Sequence, residues 1–252
     1  MILHVDGLTF TYNSHPVLDS VDLRLNPGEL MAVLGPNGVG KTTLLKCINA
    51  LHRPGGGAVM VDGADVLKLS PRQIARKIGY VAQKTESVRL TAFDAVLLGR
   101  RPHISWGASR KDLEMADAAL RRLGLEDLAL RYIDSMSGGE LQKVAIARAL
   151  VQEPRLMLLD EPTASLDLKN QMEILSIIRR VVREHEVAAI MTMHDLNTAL
   201  RCADKCIFLK NGRIHFAGEP CLVQADTIES VYGLPVEIHN HRGQPLIVPL
   251  QN

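Results

Sequence analysis

The chain has 252 residues, 46% of them hydrophobic and 23% charged, a balance that suits a globular protein long enough to bury a sizeable core. Its formal net charge is +1, so bulk charge gives no footprint for nucleic acid or for an anionic membrane surface. No run approaches the ~18 consecutive apolar residues of a membrane span, and the N-terminal stretch lacks the basic-then-apolar pattern of a signal peptide.

Residues 1–34 read as β-rich. The runs "LHVDGLTFTY" and "VDLRL" precede an apolar strand, "LMAVLG". A helical pattern follows at "KTTLLKCINAL", then a Gly-rich turn at 55–57, a strand and turn at "AVMVDG", and a strand at "IGYVAQ". From 84 to 134 the character changes. "TAFDAVLLGR" and "RKDLEMADAALRRLGL" carry helical periodicity with no strand between them, which predicts a helical insertion. After Ser137, apolar strands ("LMLLD", "VAAIMTM", "KCIFLK") alternate with helices ("NQMEILSIIRRVVREH", "DLNTALRCA"). That alternation predicts a parallel sheet covered on both faces. Asn211-Gly212 is a hairpin signal, and residues 219–252 read as a short helix and a small β tail. The four cysteines, Cys47, Cys202, Cys206 and Cys221, lack metal or redox spacing and are expected to be reduced packing residues.

"GPNGVGKT", Gly35 to Thr42, matches G-x-x-x-x-G-K-[ST] between a strand and a helix. Its glycines let successive backbone N–H groups converge on phosphate oxygens, and the helix N-terminus adds favourable dipole charge. Lys41 can bridge the β- and γ-phosphates, and the Thr42 hydroxyl can ligate Mg²⁺. A chance Gly-rich turn is the competing reading; the strand–loop–helix context weighs against it.

"LMLLDEP" places Asp160 and Glu161 at the end of a buried strand, where ligands sit in open parallel sheets. Asp160 suits the Mg²⁺ shell. Glu161 suits general-base positioning of a water. Alone, the pair reads equally well as solvated turn carboxylates. His194 and Gln83 also close strands, which favours a γ-phosphate contact for the histidine and a place at the Mg²⁺ and water site for the glutamine.

One stretch resists a simple reading. In "DSMSGGELQKVAIARAL", Ser137 and Glu140 form the S-x-x-E capping box of a helix start. Two glycines inside it are costly, at ~1 kcal/mol each relative to alanine in a helix interior.

Together these motifs resemble the ATP-binding subunits of ABC transporters, over nearly the whole chain and in the family's order. Gly35 to Thr43 (Gly35, Pro36, Asn37, Gly38, Val39, Gly40, Lys41, Thr42, Thr43) match the Walker A loop, and Gln83 the Q-loop. Ser137 to Gln142 match the signature motif, Leu156 to Glu161 Walker B, Ser165-Leu166-Asp167 the D-loop, and His194 the switch histidine. The resemblance implies a P-loop NTPase fold of mixed α/β class, with a mostly parallel sheet core, an antiparallel β subdomain and a helical insertion subdomain. The implied organisation is one ABC ATPase domain over 1–252: a core of 1–83 and 155–218, a helical subdomain of 84–154, and a tail of 219–252.

The resemblance further implies ATP and Mg²⁺ as ligands, and an adenine-stacking role for Tyr12. Lys41 and His194 would stabilise charge as ATP is hydrolysed. A head-to-tail homodimer would set Ser137, Gly138 and Gly139 of one copy against the γ-phosphate of the other, which gives the glycines a purpose. Met136 and Glu140 depart from the family's usual LSGGQ. At ~4 Å and an effective dielectric of 20, a carboxylate facing a phosphate charge is repelled by about 4 kcal/mol. Glu140 is therefore expected to fold back on Ser137.

"GR-x-PH" (Gly99, Arg100, Pro102, His103) and the tail "VYGLPVEIHNHRGQPLIVPL" resemble the subfamily that imports iron–siderophores, haem and cobalamin. That implies two separate membrane permease subunits contacted near Gln83 and 84–105, an extracytoplasmic substrate-binding protein, a peripheral place on the cytoplasmic face of the membrane, and no nucleic acid. His103 is read as a polar loop contact. His239 and His241 read as tail-strand residues. The alternative is a soluble ABC ATPase of iron–sulfur cluster assembly, which binds scaffold proteins.

Overall fold

The computed structural model describes residues 1–83 and 89–250. Strands β1 (Leu3–Tyr12) and β2 (His15–Leu25) pair antiparallel. They turn at Asn13 and Ser14, both at positive φ (42° and 74°), as tight two-residue hairpin turns require. β2 therefore starts well before the "VDLRL" run. β4 (Gly56–Val61) pairs with β1, and the short β5 (Ala64–Asp65) with β4. Gly56 and Gly57, expected in a turn, are strand residues of β4.

A second sheet is built on β3 (Leu30–Leu34), β6 (Ile78–Val81), β7 (Leu156–Leu159), β8 (Ala188–Thr192) and β9 (Lys205–Lys210). These five run parallel. β10 (Arg213–Gly218) adds antiparallel to β9 after the Asn211-Gly212 turn. The order is β10-β9-β3-β8-β7-β6. The parallel strands thus deliver the segments that follow them, Gln83 after β6 among them, to one edge of the sheet.

Both faces of this sheet are covered, which is why β3, β7 and β8 are buried at every residue. Alternate residues of β3 enter different cores. Leu30, Ala32 and Leu34 pack with one cluster; Met31 and Val33 pack with the other. The first cluster includes Ile174, Leu175, Ile178, Val181 and Val182 of α6 (Leu168–Glu184), an apolar stripe at helical spacing. The second contains Leu44, Leu45 and Ile48 of the phosphate-loop helix and the inner face of the four-stranded sheet. Each such side chain, fully buried, contributes about 1.5–3 kcal/mol.

Residues 89–155 hold three α-helices, Ala92–Leu97, Arg110–Arg122 and Gly138–Leu150, and no strand beyond a single bridge between Thr91 and Tyr132. The first passes into a 3-10 turn at Leu98–Arg100, where the "GR-x-PH" residues fasten the subdomain together. Arg100 is buried and donates to Asp112 (2.9 Å), Glu153 (2.8 Å) and the Val151 carbonyl (2.6 Å). His103 Nε2 lies 2.9 Å from the Gln152 carbonyl, the polar loop contact expected of it. The Pro102 carbonyl accepts from Arg72 (2.8 Å) and Arg76 (3.0 Å).

Those arginines lie on a helix, Pro71–Lys77, that periodicity does not announce. Its signal is local: Ser70 and Gln73 form a capping box, with Pro71 at the first helical position.

The tail comprises a helix, Ala225–Tyr232, and a hairpin of Val236–His241 with Gln244–Pro249. Cys47, Cys202 and Cys206 are buried packing residues, and burial pushes each thiol up to about 12. Cys221 corrects the expectation. It is exposed, in a 3-10 turn with no buried residue. Among the described residues, no helix is long and apolar enough to cross a membrane, and no three metal-ligating side chains cluster.

Candidate nucleotide site

The loop Gly35–Gly40 joins β3 to α1 (Lys41–Ile48). Gly35 sits at φ 143°, and a Cβ there would lie 2.6 Å from the Leu209 carbonyl oxygen, so only glycine fits. The Lys41 ammonium is folded under the loop, donating to the carbonyls of Gly35 (2.8 Å) and Pro36 (3.0 Å). Burial pulls its pKa down, against the opposing pull of Glu161 and Asp160. A charge left this desolvated gains strongly from an anion.

Asp160 and Glu161 follow β7 directly. Asp160 is 2% exposed, and a carboxylate so buried requires donors. Its Oδ1 accepts from the hydroxyls of Thr42 (3.0 Å) and Thr192 (2.8 Å), and the Tyr80 hydroxyl approaches Oδ2 at 3.5 Å. Burial, then the Asp160 charge, pushes Tyr80 up to about 12, so it remains a donor. Glu161 occupies a left-handed backbone, φ 49°, a conformation costing of order 1–3 kcal/mol that must be held by its surroundings. Its N–H donates to Thr192 Oγ1 (2.8 Å). Its carboxylate is bracketed by the Gln83 amide (2.5 Å) on Oε2 and by His194 Nε2 on Oε1.

Lys41, Gln83, Glu161 and His194 face one cleft of about 460 Å³, lined also by Tyr12, Asn37, Gly38, Gly40, Thr42 and Thr43, with Val17. Asp160, like Gly35, Pro36 and Val39, is not in its lining and is tied to it through the Thr42 hydroxyl. The size suits a small-molecule ligand. Tyr12 is 42% exposed at the cleft rim; its hydroxyl bonds His52 Nε2 at 2.7 Å, and its ring meets Phe10 edge-on. The sequence does not announce Thr192, Tyr80, Val17 or His52 as site residues. Thr192 alone carries a signal, as a polar residue inside an apolar strand.

Ser137, Gly138, Gly139 and Glu140 do not line this cleft. They open α5 (Gly138–Leu150). Glu140 Oε2 accepts both the N–H and the hydroxyl of Ser137 at 2.8 Å, completing the capping box. The two glycines differ. A Cβ on Gly139 would lie 3.0 Å from Asn170 Oδ1, whereas one on Gly138 would meet, among the described residues, only Leu166 Cδ2 at 3.6 Å. Gly139 thus has a packing reason inside its own chain; among the described residues Gly138 has none.

Residues 18–164 match the family model described as ABC transporter. The chain is 49% identical to an uncharacterized ABC transporter ATP-binding protein of Methanocaldococcus jannaschii, over 99% of this chain and 98% of that protein. It is 36% identical to the ferric enterobactin transport ATP-binding protein of Escherichia coli, over 98% and 94%. Its fold is similar to an inward-facing ABC transporter described as of metal-chelate type (TM-score 0.86, 32% identity, 99% of this chain and 97% of that one). It is also similar to a dimeric ATP-binding cassette in a post-hydrolysis state bound to ADP and Pi (TM-score 0.77, 29% identity, 87% and 99%). ABC cassettes therefore form dimers in solved structures. The chain belongs to the ABC transporter family, as an ATP-binding subunit and an ATPase.

Proposed function

We propose that this ATPase powers import of a metal chelate of the iron–siderophore, haem or cobalamin type through two separate membrane permease subunits. The observation that carries the substrate class is the whole-chain likeness to a metal-chelate type transporter and to the ferric enterobactin subunit. The "GR-x-PH" pattern agrees with it. On this reading the chain sits at the cytoplasmic face of the membrane and receives its substrate indirectly from an extracytoplasmic binding protein.

The working unit is a head-to-tail homodimer. Ser137, Gly138 and Gly139 of one copy meet the γ-phosphate held by the other, since these residues lie outside their own cleft. Gly35 to Thr43 carry the phosphates, and Tyr12 stacks on adenine. The Thr42 hydroxyl, the Asp160 carboxylate and the Gln83 amide oxygen are a hard, all-oxygen donor set that fits Mg²⁺. When bound, the ion would neutralise phosphate charge.

Lys41 leaves the Gly35 and Pro36 carbonyls for the phosphates. Glu161, held between His194 and Gln83, accepts a proton from the water that attacks the γ-phosphorus in line. The bond to the β-phosphate oxygen breaks, and ADP and phosphate form. Lys41 and His194 stabilise the charge that develops. Loss of the bridging phosphate reopens the dimer. The helical subdomain 84–154 moves against the core of 1–83 and 155–218, and carries the motion to the permeases through 84–105. Of that segment, 84–88 lie outside the described residues.

The alternative is an ATPase of iron–sulfur cluster assembly. Purification from native membranes separates the two. Co-elution with two integral membrane subunits is the expected result; co-elution with a soluble scaffold protein would favour the alternative.

A further inference from the structure

Tyr232 ends α8 (Ala225–Tyr232). Its ring packs edge-on to Phe208 of β9, centroids 6.5 Å apart. Its hydroxyl oxygen accepts the N–H of Gly35 at 2.8 Å, across 197 residues of sequence. Burial pushes this phenol up to about 12, so it stays neutral. A second contact ties the same tail to the helix that follows His194. Asn197 lies on that helix, α7 (Leu196–Cys202). Its Nδ2 donates to the Ile247 carbonyl (3.1 Å), and its Oδ1 accepts the Ile247 N–H (2.7 Å). Ile247 belongs to β12 (Gln244–Pro249), which pairs with β11 (Val236–His241).

We propose that Tyr232 is a positioning residue for the phosphate loop, and that residues 225–250 form a frame holding Gly35 and the helix after His194 in place for ATP. The inference rests on the reading of the cleft as the ATP site. Gly35 is held from two sides, by Tyr232 at its N–H and by Lys41 at its carbonyl. To meet a phosphate, the Lys41 ammonium must release that carbonyl. The Tyr232 bond then remains to fix the orientation of the Gly35 peptide. A loop without it must be ordered as the nucleotide binds, and that cost falls on affinity.

The substitution Tyr232→Phe keeps the ring and removes the acceptor. Loss of one such bond is expected to raise the KM for ATP and the Kd of ATP–Mg²⁺ by about threefold to tenfold. The value of kcat stays near that of the wild type, while the melting temperature without nucleotide falls by about 2–4 °C, the share of one lost hydrogen bond. A purely structural tyrosine would lower the melting temperature and leave KM unchanged; an unchanged KM overturns the proposal. A second measurement uses the unaltered chain. Adding ATP–Mg²⁺ is expected to slow amide hydrogen exchange at 35–43 and also at 225–233 and 245–250. Protection of the loop with no change in the tail overturns the frame and leaves the ATP site standing. No protection of the loop overturns both.

Discussion

The Glu140 carboxylate is turned back onto Ser137, taking its N–H and its hydroxyl on one oxygen at 2.8 Å each. These bonds, the backbone one foremost, hold Glu140 below the usual carboxylate range. Its other oxygen is 4.0 Å from Arg131. The charge that departs from the family's usual glutamine is thereby occupied by a helix cap.

It follows that Glu140→Gln is nearly silent. Glutamine serves the same capping position, so ATP turnover should change less than tenfold. Steady-state hydrolysis at saturating ATP measures this. A larger change would mean that the carboxylate acts on the nucleotide.

Gly138→Ala and Gly139→Ala should part company. A Cβ at Gly138 meets only ordinary contact distance, so urea stability of the ATP-free chain should fall by no more than about 0.5 kcal/mol. A Cβ at Gly139 presses on Asn170, whose amide is itself tied to Asp167 at 3.1 Å. That substitution should cost about 1–3 kcal/mol. Both should weaken ATP-dependent dimerisation, but only Gly138→Ala should do so with the single chain intact. Equal losses of monomer stability would contradict a role for Gly138 in the partner's site.

Acid stability should report on Asp112. Its hydrogen bond to Ser109, then that to Arg100, lower its pKa from 3.8 to about 2. A depressed carboxyl stabilises the fold above its unfolded pKa and loses that contribution as pH falls through the folded value. Wild type should therefore exceed Asp112→Asn in urea midpoint above about pH 4, with the gap closing toward pH 2. A gap independent of pH would mean that the charge on Asp112 contributes nothing.

What the sequence made legible is what is local. The fully buried strands β3, β7 and β8 are short apolar runs, and their burial on both faces erases any alternation that could confuse the reading. The phosphate loop is a contiguous stretch whose chemistry lies in its own backbone and in Lys41 and Thr42. Glu161, His194 and Gln83 could be brought together because each sits just past the end of a parallel strand. Residues that reach the site by tertiary contact left no such trace. Tyr232 meets Gly35 across 197 positions, and Thr192, which holds both Asp160 and the Glu161 backbone, is one polar residue in an apolar strand. The start of β2 is hidden in the sequence because its turn is Asn13-Ser14 and not the usual Asn-Gly. Cys221 departs from the packing role expected of it because exposure of a lone cysteine is set by the turn it occupies, which residue type does not reveal.

Glu161→Gln carries the account's main commitment, that ATP joins two copies and Glu161 ends the union by hydrolysis. Light scattering of this variant with ATP and Mg²⁺ should give a stable species near twice the chain mass of 27.7 kDa, returning to the monomer mass when nucleotide is removed. A variant that stays monomeric with ATP and Mg²⁺, or that hydrolyses ATP at the wild-type rate, would contradict it.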